Sequence, residues 1–196
     1  MSNSGYCNNN SELIQKKSSG YEKYLGRYIN APYYDKSTPF SAGGIHSTVE
    51  DLFLWDRALS SNSLLKEESL NKLFFKHIKV NEDYYGYGWY ISYKKNKPSE
   101  DSVLNLYHSG GINGYHSFIS RYPEKGHLIV LINNTGATQL RDIKQSIEHI
   151  LFDELYSFPK RSLAHEMAKI IAKEGLNDIQ DKFMAIKDLP NYSVTG

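Results

Sequence analysis

Leu106-Tyr-His-Ser-Gly-Gly-Ile-Asn-Gly-Tyr115 closes an apolar run on a histidine and then turns to glycine. Val103, Leu104, Leu106 and Tyr107 have the composition of a short buried strand, read here as 103–108. Gly110, Gly111 and Gly114 leave the backbone open to a ligand or to positive φ. Taken alone, the stretch reads as a glycine-rich hairpin in which His108 is an ordinary half-buried residue. The sequence on either side brings in a second reading, a catalytic edge.

Downstream, Tyr115 to Tyr122 and Leu128 to Asn133 read as strands, and the short Pro123-Glu-Lys-Gly126 turn makes them an antiparallel hairpin. Upstream, Tyr85-Gly-Tyr-Gly-Trp-Tyr-Ile-Ser-Tyr-Lys94 alternates glycine with large residues and ends in a lysine-rich tip through Lys97 and Pro98. With a strand over 88–93, the pattern gives four adjacent antiparallel strands. A helix from about Leu140 to Leu155, with Ile143, Ile147, Ile150 and Leu151 on one face, would cover one side of that sheet. The fold class is therefore α/β of the α+β type, an antiparallel sheet flanked by helices.

A further helix follows Gly43-Gly44. Thr48 with Asp51 three residues on, or Ser47 with Glu50, satisfies free backbone donors as in a capping box. Val49, Leu52, Trp55 and Leu59 recur at three and four residues as its buried stripe. Asp51 reads as part of the cap in preference to a catalytic acid. Glu67 to Phe75 supplies a second short helix through Leu70, Leu73 and Phe74. From Met1 to about Phe40 the chain is polar and punctuated by glycine and proline, and reads as largely irregular with one short strand.

Composition removes several function classes. A net charge of +1 without an arginine-rich stripe argues against an electrostatic nucleic-acid binder, and Lys94, Lys95 and Lys97 read as a solvated hairpin tip. The single cysteine, Cys7, cannot close an internal disulfide, and the seven histidines show no metal-ligand spacing, so no metal or other cofactor is expected. No apolar run approaches the roughly 20 residues of a membrane span, and the polar N-terminus has no signal core, leaving localisation open. The 16 tyrosines suit carbohydrate or peptide contact, or half-buried core positions.

Pro159 separates the sheet domain, 1–158, from a helical extension, 159–196. In that extension 162–173 and 177–187 read as amphipathic helices joined at Gly175, with Leu163, Met167, Ile170, Ile179, Phe183 and Ile186 as the apolar stripe. So small a core needs the domain, a partner or more chain to pack on, and the extension reads as incomplete.

His108-Ser109-Gly110-Gly111 resembles the third motif of the serine β-lactamase and penicillin-binding-protein superfamily, written Lys-Thr-Gly or His-x-Gly, in the form used by its class C-like branch. Ser41-Ala-Gly-Gly-Ile-His-Ser-Thr-Val-Glu-Asp-Leu-Phe-Leu-Trp55 is similar to the Ala-Gly-Gly, Ser-Thr, Asp-Leu stretch that precedes it. Tyr87-Gly-Trp-Tyr-Ile and His127-Leu-Ile-Val-Leu-Ile-Asn-Asn134 stand where that order requires, and Ser18-Ser-Gly-Tyr21 is similar to a landmark of the passage between the family's two lobes. The resemblance implies the C-terminal part of a β-lactamase or DD-peptidase-like fold followed by a short helical tail.

It also implies an acyl-transfer site. His108 would take the position that binds the substrate carboxylate or tunes a proton relay, and Ser109 would hydrogen-bond the substrate, on a strand edge kept open by Gly110. Gly111 N–H would form half of an oxyanion hole, a contribution of about 3 kcal/mol in enzymes of this type. A histidine titrates nearer neutrality than a lysine, so binding of an anionic substrate is expected to weaken as pH rises through its pKa. The family's nucleophile, in Ser-x-x-Lys, and its Tyr-x-Asn motif precede this region. Ser63-Leu-Leu-Lys66, Ser69-Leu-Asn-Lys72, Ser92-Tyr-Lys-Lys95 and Ser157-Phe-Pro-Lys160 match the bare pattern but follow the Ala-Gly-Gly block, out of order. Tyr28-Ile-Asn30 is likewise misplaced, and Met1-Ser-Asn3 has methionine for the tyrosine.

The resemblance thus implies a serine hydrolase part, acting on a small-molecule or peptidoglycan-like substrate and inactive alone. The alternatives are a non-enzymatic peptidoglycan-binding or scaffold module, and a half-enzyme completed by a separate N-terminal lobe. An uncovered sheet edge would favour self-association. Relatives of this type are usually exported.

Overall fold

A computed structural model describes residues 1–6, 11, 13–35, 37–61, 63–95, 101–136 and 138–193. Cys7, Lys97, Pro98 and the final 194–196 lie outside the described residues. In chain order the elements are strands β1 (Gly5–Tyr6), β2 (Tyr21–Tyr24), β3 (Arg27–Asn30) and β4 (Ile45–His46), then helices α1 (Val49–Ser60) and α2 (Glu67–Leu73). There follow β5 (Ile78–Val80), β6 (Asp83–Tyr85), β7 (Tyr90–Lys95), β8 (Ser102–Ile112), β9 (Tyr115–Tyr122) and β10 (His127–Asn133). Helix α3 (Leu140–Leu151), β11 (Arg161–Ser162), α4 (Leu163–Glu174), α5 (Ile179–Ile186) and β12 (Tyr192–Ser193) complete the chain. The elements fall into two compact units, one of Met1–Lys17, Tyr34–Gly111 and His116–Ile132, the other of Ser18–Tyr33, Ile112–Tyr115 and Asn133–Gly196.

The first unit is built on a six-stranded antiparallel sheet in the order β10-β9-β8-β7-β6-β5. The four expected strands are β10, β9, β8 and β7, and β6 and β5 extend the sheet by two beyond β7. Strand β7 starts at Tyr90, since Gly86 to Trp89 make a turn closed by Gly86 N–H to Trp89 O at 2.8 Å, with Gly88 at φ +77°. Strand β8 does not stop at His108: it runs through Ser109, Gly110 and Gly111 to Ile112. Of the three glycines read there as candidates for positive φ, Gly114 alone adopts it, at +75° in the turn to β9. A side chain at Gly114 would also lie 2.5 Å from Ala31 Cβ.

One face of the sheet carries the core, where Leu59 of α1 and Leu70 of α2 meet Trp89, Ile91 and Leu106. Trp55, Leu73 and Phe74 pack against this cluster as the helical spacing expected, but Val49 lies outside the stripe at 42% exposure. Beneath it α1 buries a charge. Asp56 Oδ1 accepts from Arg121 Nε at 2.7 Å, Arg121 Nη2 donates to Ser60 Oγ at 2.8 Å, and the guanidinium lies 5.3 Å from the Phe74 ring centroid and 5.8 Å from that of Trp89. The two side chains are 12% and 3% exposed.

At the start of α1, Thr48 Oγ1 accepts from the Asp51 N–H at 3.2 Å, which is half of the expected capping box. The Asp51 carboxylate is engaged elsewhere, accepting at one oxygen from the Asn3 N–H at 2.8 Å and from Ser4 Oγ at 2.7 Å, while Ser4 Oγ also meets Ser47 Oγ at 2.7 Å. The segment leading to β1 is thereby tied to the helix, and β1 pairs antiparallel with β4, Gly5 opposite His46.

In the second unit, β2 and β3 form a hairpin whose turn residues Leu25 and Gly26 both have positive φ, the geometry that matches strand twist. These strands lie in the stretch read as largely irregular, because Tyr-Glu-Lys-Tyr and Arg-Tyr-Ile-Asn carry no apolar alternation. Gly26 approaches α4 closely, with Lys169 Cγ 2.2 Å from where its Cβ would stand. Helix α3 ends at Leu151, four residues before its expected limit, with Asp153 at φ +54° and Leu155 99% exposed. Ile150 is also exposed, so the apolar face is narrower than its sequence spacing suggested. Ser162 caps α4 and Gly175 terminates it at φ +78°, as the sequence signals require. The apolar stripe of α4 and α5 is half-buried except at Leu163, which is buried, and β11 and β12 pair in parallel across the two ends of the helical pair. Among the described residues no helix is long and apolar enough to cross a membrane.

Asp56→Ala leaves Arg121 charged in the core and should cost about 3–5 kcal/mol in urea unfolding, whereas Asp56→Leu combined with Arg121→Met should recover most of that loss. The Ser4 hydroxyl, joined by the Asn3 N–H, holds the Asp51 carboxyl below the usual carboxylate range against the opposing effect of burial. The tether is therefore at full strength above that range and is lost as pH falls through the depressed value. The Asn3 and Gly5 amide resonances should follow this single acidic titration, and Asp51→Ala should place them at the low-pH position throughout.

Candidate functional site

The residues singled out in the sequence lie at the far end of β8. His108 is half-buried there, and Ser109, Gly110 and Gly111 are exposed. The glycines are strand residues whose missing side chains admit their neighbours on β9: a Cβ on Gly110 would lie 2.6 Å from Ser117 Oγ, and one on Gly111 would lie 3.3 Å from His116 Cδ2. The pair is thus not sealed within the core. It forms an open strip of backbone beside a histidine, with a hydroxyl and a second imidazole on the next strand.

What holds His108 was not legible in the motif. Its Nε2 is 3.0 Å from the hydroxyl of Tyr85 on β6, and the rings of Tyr85 and Tyr90 stand 6.0 Å and 5.7 Å from its own. Sheet register brings these together, since Tyr85 pairs with Tyr90 across β6 and β7, and Tyr90 with Tyr107 across β7 and β8. The result is a row of rings across four strands: Tyr85 edge-on to Tyr90 at 4.7 Å, Tyr90 stacked on Tyr107 at 5.1 Å, and Tyr107 stacked on Phe118 at 5.7 Å. Tyr107 donates its hydroxyl to Asp83 at 2.7 Å, which fastens β8 to β6 across β7. Three of the many tyrosines are therefore half-buried sheet residues, as composition allowed. The signal for Tyr85 was its place in the glycine–aromatic alternation, read as strand patterning and not as a partner for the histidine.

Chemically, this arrangement offers an imidazole with a phenol on one nitrogen, a serine hydroxyl, and exposed backbone at the end of an interior strand. Such a wall can hydrogen-bond and polarise an oxygen of a bound ligand. Within the Ser-x-x-Lys matches, Ser63 Oγ bonds Ala58 O at 3.5 Å and Lys72 pairs with Glu68 at 2.6 Å. Among the described residues the hydrogen-bond partner of His108 is Tyr85 and not a serine. No group of three histidine, cysteine, aspartate or glutamate side chains among the described residues is placed to hold a metal ion.

Comparison with known proteins bears on this wall as a whole. Penicillin-binding protein 4* of Bacillus subtilis (strain 168) is 32% identical over 124 residues, which are 61% of this chain and 26% of that protein. The fold is shared with a penicillin-binding protein from Bacillus halodurans at a TM-score of 0.59 and 24% identity, over 75% of this chain and 44% of that one. It is shared also with the octameric penicillin-binding protein homologue from Pyrococcus abyssi at a TM-score of 0.64 and 24% identity, over 79% and 35%. A D-amino acid amidase from Ochrobactrum anthropi SV3, 18% identical, has a TM-score of 0.57 over 69% of this chain and 41% of that one. The chain thus spans less than half the length of each of these proteins. The β-lactamase family model matches residues 9–148, which include both the Ala-Gly-Gly block and the strand that presents His108, and the chain belongs to that family.

Proposed function

We propose that this chain forms one wall of the acyl-transfer site of a serine hydrolase, and that it does not turn over substrate by itself. The observation that carries the reading is the exposed His108-Ser109-Gly110-Gly111 end of β8, inside the span matched by the β-lactamase family. In the complete site a serine hydroxyl supplied by other residues attacks the substrate carbonyl and gives up its proton to a base. The carbonyl oxygen takes the negative charge, the C–N or C–O bond to the leaving group then breaks, and water releases the acyl group. His108 and Ser109 orient the substrate's oxygens, and the Gly111 N–H stabilises the developing oxyanion.

The acyl donor is a β-lactam, a peptide ending in D-Ala-D-Ala, or an ester, in keeping with relatives named for penicillin binding and a fold neighbour named as an amidase. Inactivity of the isolated chain follows from the position of its Ser-x-x-Lys matches, all downstream of Gly44 and out of the family's order. Without an activated nucleophile covalent catalysis is lost, and only weak residual stabilisation is left.

A fluorescent penicillin should leave this chain unlabelled and should label a protein in which the chain is joined to, or mixed with, a segment carrying Ser-x-x-Lys followed by Tyr-x-Asn. Labelling of the chain alone would overturn its inactivity. Failure to label in every combination, with penicillin still bound reversibly, would replace the enzyme reading with that of a binding module. In the labelling-competent form His108→Ala should lower kcat/KM by about 10²-fold or more, read from acylation rates at several penicillin concentrations.

A further inference from the structure

Tyr85 and His108 face each other through Oη and Nε2 at 3.0 Å. The Tyr85 hydroxyl has no other hydrogen-bond partner among the described residues, and neither has the His108 imidazole. Among those residues the one fully buried side-chain nitrogen or oxygen without a partner is Nδ1 of His46, so Nδ1 of His108 is not fully buried, and its residue adjoins the exposed Ser109–Gly111 strip.

A hydroxyl and a neutral imidazole nitrogen can share one proton in two ways. A phenol is a good donor and a poor acceptor, whereas the unprotonated imidazole nitrogen is a strong acceptor. The favoured arrangement has Tyr85 O–H donating to Nε2, and the ring's own proton must then reside on Nδ1. We propose that Tyr85 is a positioning residue that holds neutral His108 in its Nδ1–H tautomer, so that the site presents an N–H donor to an acceptor oxygen, carboxylate or carbonyl, of its ligand. The identity of that oxygen as part of an acyl donor rests on the function proposed above; the tautomer does not.

Long-range proton–nitrogen correlation spectra of the ¹⁵N-labelled chain read the tautomer directly, with the His108 signals assigned by their loss in His108→Gln. At a pH where the ring is neutral, Nδ1 should show the shift of a protonated nitrogen and Nε2 that of an unprotonated one. Tyr85→Phe keeps the ring that packs on Tyr90 and removes only the hydroxyl. It should exchange the two shifts, wholly or in part, towards the Nε2–H form favoured by free imidazole side chains. A wild-type His108 found as Nε2–H, or a tautomer untouched by Tyr85→Phe, would overturn the proposal. Should that variant not fold, a slowly exchanging Tyr85 hydroxyl proton with a cross-peak to the His108 ring decides the matter in the wild type, its presence supporting the bond and its absence refuting it. These spectra need no substrate, so failure of penicillin to label in every combination would remove the acyl-transfer reading and leave the tautomer result intact.

Discussion

The bond between Asp56 and Arg121 is the constraint on which the first unit's architecture rests. It joins α1 to β9, next to the central strand β8, and both side chains are largely withdrawn from water. A buried ion pair contributes little net stability, because desolvation of both charges offsets most of their attraction. Its effect is directional. Parting the two groups would leave a charge buried beside Phe74 and Trp89, a cost that favours the observed placement of α1. Ser60, one turn beyond Asp56, takes a further guanidinium hydrogen and removes the remaining freedom.

With α1 seated, the order of strands β9, β8, β7 and β6 carries the constraint laterally to the histidine. Each strand contributes one ring to the row Phe118, Tyr107, Tyr90, Tyr85, and the last of these bonds His108. Stacked and edge-on rings resist sliding of one strand past its neighbour, and the Tyr107 hydroxyl on Asp83 pins β8 to β6 a second time. The imidazole is therefore oriented by a sheet and not by a loop. Glycine at positions 110 and 111 keeps the neighbouring backbone within reach, since Ser117 and His116 of β9 already fill the space that side chains there would need.

The chain belongs to the β-lactamase family, and the residues that the family model matches include the strand that presents His108. His108, Ser109, Gly110 and Gly111 lie together on β8, with Ser117 and His116 beside the glycines on β9. Among the described residues the hydrogen-bond partner of the His108 imidazole is the Tyr85 hydroxyl, on Nε2. The tie from Asp51 to Asn3 and Ser4 shows how the chain before α1 is bound to the same unit.

The sequence alone determined those features that depend on neighbours close in the chain. Thr48 starts a helix because its hydroxyl reaches a backbone N–H three residues on, and Gly175 ends one because it accepts a positive φ. The central strands follow from their apolar composition, and His108-Ser-Gly-Gly is a motif that can be read by eye. Tertiary structure alone decided the rest. Strands β2 and β3 lack apolar alternation and form through their turn, while β5 and β6 are too short to be seen before they pair. Strand β8 continues through glycines that have no strand preference of their own because β9 lies alongside to pair with them. Asp51 turned from its own helix cap to residues 48 and 47 positions away, and Tyr85 met His108 across 23, both distances over which no local pattern carries information. Charge burial and strand register are properties of the folded sheet, and it is these that place the tyrosine on the imidazole.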